Sequence, residues 1–374
     1  MPRKPVVLFQ WKQSAPYLVD RLEATRRAGV TPLEIVNVSD AATSYEWPFD
    51  PTASQTVINH VLFTDRKFEE TSFAGRLVRR LKVLRQYKVQ SAFLCHHDHL
   101  DTFIAAIIMR LMGIRVYLML SSKFDDKPRR VWREALKSLF VVPYQAVLCG
   151  GRRQREYAEF LGVPASKVFE GYETVSVDRI RAQAGVAPAP GGTPYHQRHF
   201  TIIARHVPKK NLFMAIDAYD RYRRAAGNDV RDLHLCGSGE LEARLRADVE
   251  KRGLAGVSFL GFLPPEAVAR ELGTTLAVIL PSTEEQWGLA VNEALAMGIP
   301  VLCSDNVGAR DGLVRSSVNG YVFEPDNPEG LARLMGRVAQ DEAEWRRLAQ
   351  AALDFAPKAD VGAFAQGVAQ ALAV

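Results

Sequence analysis

Residues 279–302 read ILPSTEEQWGLAVNEALAMGIPVL. The run Leu276-Ala-Val-Ile-Leu280 is unbroken apolar chain of the buried parallel-strand kind, and Pro281 stops it. A polar loop follows over residues 282–286. A helix then opens near Gly288 and carries Leu289, Val291, Leu295 and Ala296 on its apolar face until Gly298 and Pro300 end it. Val301-Leu302-Cys303 is the next strand. The unit is strand–loop–helix–strand, with its loop at the carboxyl end of a strand, where open α/β sheets bind ligands. Glu285 lies in the loop and Glu293 eight positions later, so one carboxylate stands at the helix entrance and the other roughly two turns on.

The spacing of Glu285 and Glu293 within EQWGLAVNEALAMGIPV resembles the signature of family 4 retaining glycosyltransferases of the GT-B fold. Pro281-Ser282, Gly288-Leu289 and Gly298-Ile-Pro-Val301 fall in the same register. The resemblance implies that Glu285 touches hydroxyls of a donor sugar and that Glu293 holds the ribose of its nucleotide. It implies too that the amides of Gly288 and Leu289 meet the diphosphate. The chemistry agrees, because carboxylates accept from vicinal hydroxyls and amides at a helix N-terminus suit an anion.

Outward from this stretch, the chain alternates strands and helices throughout, which argues for parallel sheets. At 374 residues it is comfortable for two domains, and 47% apolar with 24% charged residues is ordinary globular composition. Met1-Pro-Arg-Lys leads straight into a short strand without an apolar leader, the pattern expected of a cytoplasmic protein. The longest candidate span, residues 103–114, is broken by Arg110 and falls short of the ~18 to 20 apolar residues a bilayer needs. Cys95, Cys149, Cys236 and Cys303 lack metal spacing and read as reduced structural thiols. Charge is uneven: residues 1–180 hold 27 Lys and Arg against 19 Asp and Glu, a net of +8, and the remainder nets −2. A basic first half points to an anionic partner.

In that first half, residues 6–9 form a strand and residues 17–27 a helix with Pro16 in its first turn. Relatives often carry paired glycines between the two; none stands here, so no phosphate role transfers. Trp11 and Lys12 either line an acceptor or simply pack. Residues 74–88 (AGRLVRRLKVLRQYK) form a basic amphipathic helix, with Leu77, Leu81 and Leu84 on one face. Such a helix docks on anionic lipid, or packs its leucines and leaves its charges in water. After the strand Ala92-Phe-Leu-Cys95 comes His96-His97-Asp98-His99. Adjacent ligands on one loop rarely converge on an ion, whereas the resemblance places a cleft-facing histidine at this strand end. His99, with His96 and His97 as alternatives, is therefore a candidate contact to donor or acceptor, and Asp98 or Asp101 caps the next helix. Relatives end the following strand in a donor-facing histidine; here Ser121 takes that place, with Lys123 as alternative.

Residues 182–194 (AQAGVAPAPGGTP) are linker-like in composition. Beyond them the strand at 200–204 leads into Arg205-His-Val-Pro-Lys-Lys210. By resemblance Arg205 and Lys210 clamp the donor diphosphate, and two cations there would neutralise the leaving group. Gly237-Ser-Gly239 is a glycine turn suited to a backbone nest beside a diphosphate. Residues 257–263, with Phe262, resemble the edge that meets the nucleobase. Residues 319–324 read as a small hairpin or strand, and three helices end the chain.

The expected fold is α/β, of GT-B type: two facing doubly wound Rossmann-like domains with a cleft between them. The first covers residues 1–180 and is completed by residues 358–374; it binds the acceptor. The second, residues 195–357, binds the nucleotide-sugar. The expected activity is retaining, metal-independent transfer from a nucleotide-diphosphate sugar to a saccharide or lipid-linked saccharide, in polysaccharide or surface-glycan assembly at the inner membrane face. No cofactor is expected beyond that donor substrate, and no nucleic acid, for basic and aromatic residues do not interleave. The alternatives are another GT-B enzyme, a nucleotide-sugar epimerase or phosphorylase, and a non-catalytic basic protein binding RNA or glycan.

Overall fold

The computed structural model describes residues 6–38, 57–64, 66–95, 99–126, 128–227 and 230–374. Its chain forms two compact units. The first comprises Met1–Phe124, Pro128–Thr174 and Val361–Val374; the second comprises Val175–Asp360 with Asp125–Lys127.

The first unit is built on seven parallel strands: β1 (Val6–Trp11), β2 (Thr31–Val38), β3 (Ile58–Phe63), β4 (Ser91–Leu94), β5 (Arg115–Leu120), β6 (Ala146–Cys149) and β7 (Val168–Glu170). Their order is β3-β2-β1-β4-β5-β6-β7. Because side chains alternate along a strand, Val7, Phe9 and Trp11 enter one apolar layer while Leu8 enters the other. In the first layer Phe9, Phe93 and Tyr117 stack across β1, β4 and β5 at 5.0 and 4.7 Å. The C-terminal helix Val361–Leu372 covers this layer with Phe364, Val368 and Ala371, all fully buried. Trp11 is therefore packed, and its Nε1 donates to Tyr172 Oη at 3.0 Å.

The second unit holds six parallel strands: β8 (His199–Ile203), β9 (Leu233–Cys236), β10 (Val257–Gly261), β11 (Thr275–Leu280), β12 (Val301–Ser304) and β13 (Gly320–Phe323). Their order is β10-β9-β8-β11-β12-β13. Residues 319–324 thus contribute a parallel edge strand rather than a hairpin. The linker-like stretch is held to this unit: Ala189 N donates to Met297 O at 2.9 Å, and Arg198 donates to Gly191 O and Thr193 O at 2.9 Å each. The helix Pro265–Gly273 was not apparent from the sequence, where a proline pair reads as loop although it opens a helix well.

Two expectations about charge are corrected. Asp101 lies inside the helix Leu100–Leu111 and does not cap it; the cap position is His99, without a side-chain bond. The Asp101 carboxylate instead accepts from Arg76 Nε at 3.1 Å and Arg80 Nη2 at 3.2 Å. Arg80, on the helix Phe73–Tyr87, is consequently buried rather than solvated. A buried guanidinium needs such a partner, because desolvation of an unpaired charge costs several kcal/mol.

Candidate active site

In the second unit the chain winds outward from β8 in two directions, through β9 and β10 on one side and through β11, β12 and β13 on the other. The order reverses between β8 and β11, and ligands of doubly wound sheets bind outside the strands' carboxyl ends at such a point. Two loops leave there, residues 204–211 after β8 and residues 281–288 after β11. They are tied to one another by backbone and amide bonds. Thr283 N donates to Lys209 O at 2.9 Å. Asn211, in the left-handed conformation at φ 57°, donates through Nδ2 to Pro281 O at 3.1 Å and Pro325 O at 2.7 Å.

The tie brings Lys210 onto Glu285: its Nζ contacts Oε2, and Ser282 Oγ donates to the same oxygen at 3.2 Å. Both partners are largely buried, at 15% and 14% side-chain exposure, where a charge pair is less screened than at the surface. Arg205 is exposed at the carboxyl end of β8. The loop carrying Glu285 is braced from behind, since Gly308 N donates to Glu285 O at 3.2 Å and Ala309 N to Trp287 O at 3.0 Å. Trp287 Nε1 donates to Asn292 Oδ1 at 2.8 Å, and Asn292 Nδ2 to Ala359 O at 3.2 Å.

Gly288 precedes the helix Leu289–Ala296, which points its N-terminus to the same end of the sheet. Glu293 is the fifth residue of this helix and half-buried. Burial pushes its carboxyl up to about 7, against the opposing pull of the Arg179 guanidinium. The glycine turn after β9 lies beside the β8 loop. Gly237 sits at φ 142°, and a Cβ there would lie 2.0 Å from Ala204 O, so only glycine fits. A Cβ at Gly239 would lie 2.6 Å from His206 O, and His206 N donates to Ser238 O at 2.7 Å. Phe262 follows β10 and is 39% exposed, next to Gly261, whose carbonyl accepts from Gly237 N at 2.7 Å.

Lys210, Glu285 and Ser282 are thus in direct contact, and the glycine turn packs on the β8 loop. Asn211, Trp287 and Asn292 were given no role from the sequence, and Ser282 was noted only as part of the motif's register. An asparagine just before a helix, a residue type that tolerates the left-handed conformation, was the available signal for the first. In the first unit the strand order reverses between β1 and β4. His99 is half-buried beside the Phe68 ring at 5.6 Å, while His96, His97 and Asp98 lie outside the described residues. Ser121 follows β5 and its hydroxyl donates to Glu173, which also accepts from Arg21 Nη2 at 3.1 Å. Lys123 is buried.

Residues 189–355 match the family model of glycosyl transferases group 1. The match spans the second unit's sheet and the whole of this site. Among curated relatives, the chain is 30% identical over 174 residues to the poly(glycerol-phosphate) alpha-glucosyltransferase of Bacillus subtilis, covering 46% of this chain and 25% of that one. It is 28% identical over 238 residues to the D-inositol 3-phosphate glycosyltransferase of Nocardia farcinica, covering 60% and 51%. The chain therefore spans between a quarter and about half of the length of these relatives. Among solved structures, HepE of Anabaena in complex with UDP superposes with a TM-score of 0.75 at 17% identity, covering 99% of both chains. The fold, two parallel Rossmann-like sheets, is that of the GT-B glycosyltransferases.

Proposed function

We propose that the protein is a retaining glycosyltransferase that moves a sugar from a nucleotide-diphosphate sugar to a saccharide or lipid-linked saccharide in surface-glycan assembly. The observation that carries this reading is the meeting of Lys210 and Glu285 at the reversal point of the second sheet, inside the stretch that matches group 1. Arg205 and Lys210 neutralise the departing diphosphate together with the amides of Gly288 and Leu289, so the transfer needs no metal. Lys210 turns from Glu285 to phosphate when donor binds, leaving Glu285 to accept from sugar hydroxyls. Glu293 accepts from the ribose hydroxyls, which supply hydrogen bonds to a half-buried carboxylate. The bond from the anomeric carbon to the phosphate oxygen breaks. A bond to the acceptor oxygen forms on the same face, and the acceptor proton passes to the leaving phosphate.

The first test is thermal unfolding with UDP-, GDP-, ADP- and CMP-sugars, UDP first because HepE was crystallised with it. A ligand bound only by the folded state raises the melting temperature; at a hundredfold excess over Kd the gain is about 2.7 kcal/mol. One nucleotide should stabilise the wild type and lose most of its effect in Glu293→Ala. Lys210→Ala should keep part of the binding and cut turnover by about 10²- to 10³-fold. No stabilisation by any donor at millimolar concentration would defeat the reading, and donor consumption without acceptor would favour an epimerase.

The acceptor side of the proposal concerns the first unit. The helix Val131–Val141 exposes Val131 (89%), Trp132 (61%), Leu136 and Leu139, with exposed Arg130 and Arg133 beside them. Aromatic and aliphatic side chains flanked by arginine fit an anionic lipid surface. The helix Phe73–Tyr87 fits it less well, for Arg76 and Arg80 are engaged by Asp101. Co-sedimentation with phosphatidylglycerol vesicles, and not with phosphatidylcholine alone, should fall in Trp132→Ser/Leu136→Ser. Equal sedimentation of variant and wild type would remove this helix from the proposal.

A further inference from the structure

A second cluster of titratable groups lies in the same unit at the opposite, amino end of the sheet's strands. His199 opens β8, and Thr201 follows it on the same face, two residues on. His234 on β9 is the cross-strand partner of Thr201, so the sheet register alone brings both imidazoles to one face. The helix Pro265–Gly273 covers that face and delivers Glu271. Glu271 Oε1 lies 2.6 Å from His199 Nε2 and 2.7 Å from His234 Nδ1, and Thr201 Oγ1 reaches it at 3.4 Å. The two rings stack at 3.7 Å between centroids. The main chain at Glu271 is fixed as well, its carbonyl accepting from Thr274 Oγ1 at 3.0 Å and Thr275 Oγ1 at 2.9 Å.

We infer that His199, His234 and Glu271 form a binding site for a divalent transition-metal ion of the zinc class. Two imidazole nitrogens and one carboxylate are a donor set that such ions favour over calcium or magnesium. The three ligand atoms lie within 4.8 Å of one another. A tetrahedral ion with bonds of about 2.0 Å needs its donors some 3.3 Å apart, so the Glu271 carboxylate draws back from both nitrogens and the two imidazoles turn until their lone pairs converge on the ion. Each ring nitrogen faces the carboxylate, so an ion seated there replaces the protons now held between them. The side chains are 12 to 21% exposed, which leaves a path for the ion and room for water as a further ligand.

The site is a staple and takes no part in transfer. It joins the amino ends of β8 and β9 to the helix over them, and β8 alone sets it about 15 Å from the loop of Arg205 and Lys210. Among the described residues, no other group of three His, Cys, Asp or Glu side chains comes together in this way.

The test uses the full chain stripped with EDTA and titrated with Zn²⁺ against a chromophoric chelator, then with Co²⁺ by visible absorption. The wild type should take up one equivalent, and Co²⁺ should give the intense bands of a four-coordinate nitrogen–oxygen site. Glu271→Gln keeps the side-chain shape and should weaken uptake by at least about tenfold; His234→Ala should abolish it. Melting curves in EDTA establish that each variant is folded. The sequence carries one rival for metal, His96-His97-Asp98-His99. An equivalent that survives in Glu271→Gln and disappears in His96→Ala/His97→Ala/His99→Ala overturns the inference, as does the absence of uptake by the wild type.

Discussion

Glu34 is fully buried in β2, where one carboxylate oxygen accepts from Ser14 Oγ at 3.1 Å. Burial pushes its carboxyl up to about 7, with the Ser14 hydroxyl pulling the other way. The folded chain therefore holds a proton that the unfolded chain releases near the ordinary glutamate value. Stability from this group is complete below about pH 4.5 and is lost as pH rises through 7. Glu34→Gln should gain on the wild type between pH 5 and pH 8 by up to about 3 kcal/mol, read from denaturant midpoints at the two pH values. A gain that does not change with pH would contradict it. At this scale the placement of Glu285 and Lys210 on loops at strand ends was legible, for Glu285 from the proline and glycines that frame its loop and for Lys210 from the family resemblance. Arg80 with Asp101, and His199 with His234 and Glu271, were not. Their partners lie 21 to 72 residues apart in the chain, and only helix packing and strand register bring them together.

Elements were more legible than residues, since a run such as Leu276–Leu280 buries on both faces and has one reading. The expected return of the C-terminal helix to the first unit came with no indication of which side chains it buries there. The helix Val361–Leu372 is apolar on the face that meets β1 and β4, and Phe364 lies 5.9 Å from Phe9 and 6.4 Å from Tyr172. Each large side chain it buries contributes about 1.5 to 3 kcal/mol. Removing residues 361–374 should therefore destabilise the first unit by more than about 5 kcal/mol. Amide exchange should record lost protection over residues 6–174 and retained protection over residues 199–356. Unchanged protection of β1 and β4 in the truncated chain would refute this. The helix Val131–Val141 teaches the converse lesson, because nothing in its sequence separated an apolar face that packs from one left in solvent.

For the molecule as a whole, alternation of strand and helix foretold parallel sheets, the linker-like stretch and the family resemblance divided them into two units, and the candidate site lies where the second sheet's strand order reverses. The units are not equal in the way the chain supplies them. The second is nearly continuous, Val175–Asp360, with the addition of Asp125–Lys127, whereas the first needs Val361–Val374 to finish what Met1–Phe124 began. A growing polypeptide leaves the ribosome from its N-terminus, so the aromatic layer of Phe9, Phe93 and Tyr117 is made early and stays without its cover until residues 361–374 emerge. Throughout synthesis of the second unit, that greasy face is a surface for chaperones to hold.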